Sequence, residues 1–306
     1  MFGNANVQQL TDEASPDAFL ILAREIWRRD PWKQRAFSSE DGEFREMFGC
    51  SVGVCVSLWN LLKKTESLPP GSTSNKEHLL WALMFLKVYG TEKVMCALAG
   101  GVDKDTFRKW SWQFVEAISS LQSFLIIWEN RFKMDKGNDC LISVDGTDFL
   151  IPEHGRAFYS HKFKKSAFRY EVALCILTGD IVWVNGPYEA GLWPDINIFR
   201  NSLRSHLEPG ERVEADDGYI GDHPLFVKCP AGFANPPYTE YMQQRVRNRQ
   251  ETINKRFKQW KCLAGRWRGE LVKHGDAFAA VAVITQLAIN HGEKLFSCGY
   301  RDPPYD

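Results

Sequence analysis

From Cys140 onward the chain is cut into short apolar runs that end at Gly, Asp or Pro. This punctuation constrains the fold more than any other feature. "CLISVDGTDFLI" is one such run, reaching Asp145-Gly146, and "YEVALCILTGDIVWVNGPY" reads as two strands joined at Thr178-Gly179-Asp180. "DINIFRNSLRSHL" has helical spacing, with Asp195 as its N-cap after Pro194. "RVEADDG" is a fourth, short strand and "FVKCP" a fifth. A long helical region then starts near Thr239 and runs past Trp260, followed by an apolar helix from about Asp276 to His291. The order strand, strand, strand, helix, strand, short strand, helix, helix predicts an α/β domain in which an antiparallel hairpin leads into mixed pairing.

Before Lys136-Gly137-Asn138 the sequence reads as helix. The one clear linker, "ESLPPGSTSN" (Glu66 to Asn75), is followed by Ser74 and Glu77 at capping-box spacing, then by "HLLWALMFLKVYG", which Gly90 closes. A short helix to Ala99, a turn at Gly100-Gly101 and a longer helix capped by Asp103 form a helix-turn-helix pattern. Lys104, Arg108 and Lys109 could face DNA from the second helix, or the pair could simply pack in a bundle. The expected organisation is an N-terminal helical extension and linker over 1–74, a helix-turn-helix-like domain over 75–135, an α/β domain over 136–299 and a tail over 300–306.

With 44% hydrophobic residues among 306, the chain can bury a sizeable core, which excludes global disorder. The 38 basic and 38 acidic residues cancel, so any charged partner must be met by local clusters. The eight cysteines contain no CxxC pair, which argues for reduced, buried thiols and an intracellular protein. The seven histidines are dispersed, and His154 and His161 read as ordinary residues rather than a ligand pair. The N-terminus lacks a basic region followed by an apolar core, so no signal peptide is expected. The longest apolar run, "FAAVAVITQLAI", contains Thr and Gln and is too short to span a bilayer, so it reads as a buried helix and no membrane partner is expected.

Three acids stand out. Asp145 ends the first strand, Asp216 or Asp217 ends the fourth, and Glu251 lies in the helix "QQRVRNRQETINKRFKQWK". Neighbouring strands can bring two acid-tipped ends together, and a helix packed across the sheet can supply a third. Carboxylates suit a hard divalent cation, Mg²⁺ or Mn²⁺, and two such ions can drive phosphodiester displacement. Between Gln244 and Lys273 there are ten Lys or Arg and only two acids, Glu251 and Glu270. Arg247, Glu251, Lys255 and Lys258 share one helix face, as a phosphate track with a metal ligand inside it would require. The bland alternative is a solvated helix whose Arg247–Glu251 and Glu251–Lys255 pairs are local ion pairs. A second basic segment, "HGRAFYSHKFKKSAFRY", interleaves Arg156, Lys162, Lys164, Lys165 and Arg169 with aromatics, which suits nucleic-acid contact.

These stretches together resemble the DDE-type transposases of the PIF/Harbinger superfamily, within the RNase H-like fold. "SVDGTDFLIP" resembles that family's first-acid motif, "GLWPDINIFRNSL" its Gly…Asp…Ser stretch, "EADDGYIG" its second-acid motif and "RNRQETINKRFKQWKCLAGRWR" its third-acid helix. The resemblance covers roughly 75–291. It implies an RNase H-like catalytic domain with a mixed sheet flanked by helices, preceded by an all-helical region. It also implies that Asp145, Asp216 and Glu251 are the catalytic and metal-holding acids, with Asp217 as the variable neighbour. Two Mg²⁺ (or Mn²⁺) ions and double-stranded DNA, both transposon ends and target, follow from it. So do a Myb-like helper protein and work in the nucleus after import from the cytoplasm; a homo-oligomer is a separate, open expectation. Arg247, Lys255, Lys258, Lys162, Lys164, Lys165 and Arg169 are the expected DNA contacts. Two other readings stay open: a domesticated DNA- or protein-binding factor on the same fold, and a plain RNase H-like hydrolase acting on RNA or hybrids.

Overall fold

The computed structural model describes residues 14–71, 74–133, 140–232 and 237–300. The switch at Lys136-Gly137-Asn138 and the tail beyond Tyr300 lie outside the described residues. The chain forms two compact units, and neither is one continuous stretch. One comprises 1–125, 259–262 and 276–292, and the other 126–258, 263–275 and 293–306.

The first unit is helical. Its helices are α1 (Pro16–Ile26), α2 (Phe37–Phe48), α3 (Val52–Lys64), α4 (Lys76–Val88), α5 (Glu92–Leu98) and α6 (Lys104–Ser120). Ser15 and Ser51 start α1 and α3 by accepting hydrogen bonds from Ala18 N and Val54 N, both at 3.2 Å. The start of α4 differs from expectation by one residue. Asn75 is the cap, accepting from His78 N at 3.1 Å, and His78 Nδ1 reaches back to Asn75 N. The expected pair, Ser74 and Glu77, loses because Asn75 is the residue with extended backbone at the helix entry. Asp103 caps α6 as expected, accepting from Asp105 N and Thr106 N. Arg24 of α1 and Glu40 of α2 form a buried bidentate pair at 2.8 and 2.7 Å. In the α5–α6 pair Arg108 is already engaged by Glu92 and Asp105, while Lys109 lies over the Trp110 ring. The apolar helix expected from Asp276 begins slightly earlier, at His274, and runs to Asn290. The stretch Leu271–Asn290 is long and apolar enough to cross a bilayer, but 72% of it is buried in the protein, as a core helix would be.

The second unit is α/β. Its strands are β1 (Cys140–Leu150), β2 (Tyr159–Ser160), β3 (Lys165–Cys175), β4 (Ile181–Glu189), β5 (Arg212–Glu214) and β6 (Val227–Lys228). They form one mixed sheet in the order β2-β3-β1-β5-β6, with β4 on the other side of β3. The hairpin partners β1–β3 and β3–β4 are antiparallel, and β1–β5 and β5–β6 are parallel. The predicted mixed pairing is therefore present, with one short strand, β2, added to the expected order because Tyr159–Ser160 pairs with the start of β3. The first strand is longer than expected: β1 does not stop at Asp145-Gly146 but continues to Leu150, because its pairing with β3 is unbroken from Ile142 to Leu150. Two helices complete the scaffold of the site, α7 (Asp195–Asn201) and α8 (Pro237–Phe257). Inward residues of β1, β3, β5 and β6 pack with Phe199, Tyr219 and Val246 into one apolar core. All eight cysteines are buried thiols outside any disulfide.

Candidate active site

The register explains why Asp145 and Asp216 meet. β5 is only three residues long, and its last parallel partner pair is Ser143 with Glu214. Two residues further, each chain presents an acid on the same face of the sheet, since side chains repeat with period two. Parallel neighbours lie roughly 4.8 Å apart. Asp145 and Asp216 thus emerge side by side where β5 ends. α8 crosses this face. Ser143 Oγ donates to Gln250 Oε1 at 2.9 Å, and Asn254 Nδ2 donates to Asp145 Oδ2 at 2.8 Å. Gln243, Arg247, Gln250, Glu251 and Asn254 recur at helical spacing, and this is the stripe that α8 lays over the strands.

Asp145, Asp216 and Glu251 line one cleft of about 230 Å³, together with Ser143, Glu214 and Arg247. Glu251 is exposed, and among the described residues it makes neither of the local ion pairs with Arg247 or Lys255 that a solvated helix would show. Asp216 closes the turn after β5 by accepting from Gly218 N at 2.9 Å, and Asp217 ties the same loop by accepting from Ala231 N at 2.9 Å. Tyr219 is fully buried, edge-on to Phe199, and anchors the turn. Among the described residues no three His, Cys, Asp or Glu side chains stand close enough to enclose a metal ion: the acids share the walls of the cleft without being drawn together.

Asp195 is the largest departure from the sequence reading. It was expected to cap α7. Pro194 occupies the cap position instead, and the Asp195 carboxylate makes no capping bond. It leans onto β1 at Gly146, where a Cβ would lie 2.6 Å from Asp195 Cγ and overlap Oδ1. The glycine of Asp145-Gly146 is therefore there for close approach, not for a turn. Asp195 also faces Arg169 at 3.3 Å. Arg169 forks onto buried Asp148 at 2.7 and 2.9 Å, and Ser160 Oγ donates to Asp148 at 2.6 Å.

The electrostatics follow from this crowding. Burial, with help from Asp195 and Asp216, pushes the Asp145 carboxyl up to about 7. Burial likewise raises Asp195 to about 6, against the pull of Arg169. Glu171 on β3 is raised to about 8, chiefly by burial, despite the 2.9 Å hydrogen bond from Trp183 Nε1. Lys162 lies within electrostatic reach of Asp145 and Asp195.

The expected cations divide into two groups. Lys162, Lys164, Lys165 and Lys255 are exposed, and Arg247 lines the cleft. Arg169 is not free for a phosphate, because Asp148 and Asp195 already hold it with little exposure. Lys258 is half-buried against the Phe149 and Phe163 rings, and burial lowers its pKa. Several basic residues of the α8 region are fasteners. Arg249 is fully buried and donates to Cys175 O and Ile176 O, Arg245 to Ser297 O, and Arg256 to Glu293 O. Their spacing places them off the cleft-facing stripe, a signal that was present in the periodicity.

Glu214 escaped the sequence reading. It is 1% exposed, accepts from Tyr300 Oη at 2.5 Å and Gln243 Nε2 at 3.3 Å, and leaves Oε2 without a hydrogen bond beside the cleft. Its place two residues before Asp216 in a strand put it on the same face, so alternation alone could have found it.

Residues 144–286 match the family model described as DDE superfamily endonuclease, a span containing Asp145, Asp195, Asp216 and Glu251. The match supports a DDE transposase-type nuclease for this part of the chain. Neither the curated proteins nor the solved structures give a match.

Proposed function

We infer that the α/β unit is the RNase H-like catalytic domain of a metal-dependent DNA endonuclease and strand transferase of PIF/Harbinger type. Asp145, Asp216 and Glu251 act as its three acids. One observation carries this reading: acids from β1, the end of β5 and α8 line a single cleft inside the span matching the endonuclease family.

The donors fit a divalent cation. All are hard carboxylate oxygens, and Asp145 is under the electrostatic repulsion of Asp195 and Asp216, which a cation would relieve. Asp145, Asp216 and Glu251 would hold two Mg²⁺ or Mn²⁺ ions. Such ions, when bound, supply Lewis-acid polarisation of a phosphodiester and stabilise its leaving oxygen. The chain's own residues orient and steer. Asn254 fixes one oxygen of Asp145, and Arg169 offsets the charge of Asp148 and Asp195. Arg247 offers its guanidinium at the cleft wall to the DNA backbone, with Lys162 and Lys255 as outlying cations. Water attacks a phosphodiester at the element's end and its 3′ oxygen leaves as a free 3′ hydroxyl; that hydroxyl then attacks a target phosphodiester, forming a new P–O bond as the target strand's own 3′ oxygen departs. By the family resemblance the protein works in the nucleus with a Myb-like helper.

The test is nicking of labelled duplex DNA by the full chain in Mn²⁺. The wild type is expected to nick, and D145N, D216N and E251Q to slow nicking by at least about a hundredfold, the scale on which losing electrostatic stabilisation acts. An E251Q variant as fast as wild type refutes the assignment of Glu251. Salt-dependent DNA binding by a wild type that never nicks would instead make the chain a DNA-binding factor on this fold.

A further inference from the structure

A second cavity in the α/β unit, of about 640 Å³, is separate from the carboxylate cleft. Its floor is Leu150 and Ile151, and its walls carry Arg156, Lys164, Lys165 and Arg266 against one acid, Glu153. Among the described residues Arg156, Lys164 and Lys165 have no ion-pair partner. Arg266 is pinned from behind, donating to Ile151 O at 3.3 Å and Pro152 O at 3.0 Å, which leaves its Nη1 edge uncommitted. Like charges gathered around a concave, partly apolar site favour an anion with an apolar body. Tyr159, which also lines the cavity, is 39% exposed, and its ring stands perpendicular to that of His161 at 5.2 Å, so it offers exposed aromatic surface at the cavity.

The loop that carries these groups is held in place. Ser160 Oγ bonds both Asp148 and Phe163 N, and Lys164 N donates to Ser160 O at 2.8 Å with Lys164 in the left-handed region at φ 53°. The loop also spans the ground between the two sites, since Lys162 lies within electrostatic reach of Asp145 and Asp195 while Lys164 and Lys165 line the cavity. Leu150 lies five residues beyond Asp145 on β1, roughly 17 Å along the strand. That is about five base-pair steps of B-form rise.

We propose that this cavity takes one unpaired nucleotide of the DNA substrate, its base against Tyr159 and its phosphate against Arg156, Lys165 and Arg266. The proposal rests on the nuclease reading for its substrate class. It goes beyond that reading by making the enzyme recognise a displaced or flanking single strand, not only a duplex backbone.

The test uses the full chain in EDTA, so that nothing is cut. Fluorescence anisotropy compares a blunt duplex with the same duplex carrying a single-stranded flank. Wild type should prefer the flanked DNA. Y159A should lose about 5- to 150-fold of affinity for it, the fold-change equivalent of one stacked base, with little change for the blunt duplex. Y159F should keep the preference, and matched thermal melts of both variants guard against misfolding. R156A/K165A should flatten the salt slope on flanked DNA by roughly 1.4, that is 0.7 for each lost single-strand contact. Equal losses on both DNAs, or none, overturn the pocket. Nicking in Mn²⁺ is scored separately. A Y159A defect in binding with no nicking by wild type would refute the nuclease while leaving the pocket. Normal nicking with no Y159A effect would do the reverse.

Discussion

Replacing Gly146 by Ala tests the close approach on which the site is built. The backbone of residue 146 is not in the left-handed region, so alanine itself is conformationally allowed there. The difficulty is steric: the new Cβ would lie 2.6 Å from Asp195 Cγ and overlap its Oδ1. Asp195 must retreat, which costs about 1–3 kcal/mol for overpacking and loosens its 3.3 Å pair with Arg169 for up to about 1 kcal/mol more. We expect G146A to cost about 3 kcal/mol. D195A removes the obstruction, and alanine in place of a strand glycine then recovers about 0.5–1 kcal/mol. G146A in the D195A background should therefore be neutral or slightly stabilising, giving a coupling energy of about 3 kcal/mol. For a unit of this size that corresponds to a Tm difference of roughly 6–12 °C. A double-mutant cycle by thermal melting reads it directly. If G146A destabilises equally in both backgrounds, the clash is not the reason for the glycine and the placement of Asp195 is wrong.

Three other outcomes follow from the same geometry. Asp145, Asp195 and Glu171 have folded pKa values raised to about 7, 6 and 8, so the folded state keeps protons that the unfolded chain releases near pH 4. Stability from these groups is fully present below about pH 4 and is lost as pH rises from there through about 6 to 8. Tm should fall across that window and fall less in D195N, whereas a flat or rising wild-type profile contradicts the burial argument. Breaking the buried pair with R169M leaves Asp148 without its bidentate partner and should cost about 3–5 kcal/mol in chemical denaturation, while the exposed K164A should cost under about 0.5 kcal/mol. Y300F removes the donor to buried Glu214 and should cost about 1–3 kcal/mol, with faster proteolysis after Glu293; an unchanged cleavage pattern would show that this bond does not hold the C-terminal segment.

Turn residues and apolar periodicity act locally, so the order of most elements is written in the chain. The strands from Cys140 to Lys228, the cap at Asp103 and the buried thiols were all legible on that basis. So were the two acids around the end of β5, since the short apolar approach and the Asp-Asp-Gly turn are neighbours in the chain. The tertiary structure decided what each charged group faces, and no local pattern carries that information. Whether Asp195 caps its own helix or leans on Gly146, 49 residues earlier, depends on where β1 passes α7. Whether Arg169 meets a phosphate or Asp148 depends on the register of β1 against β3, which sets those two residues opposite each other. Arg249 and Arg256 look like part of a basic track in one dimension. They become fasteners because buried carbonyls of β3 and of the C-terminal segment must be satisfied once α8 packs against them. A charge is chosen by the chain, but its partner is chosen by packing, since an ion's energy depends on what surrounds it within a few ångströms.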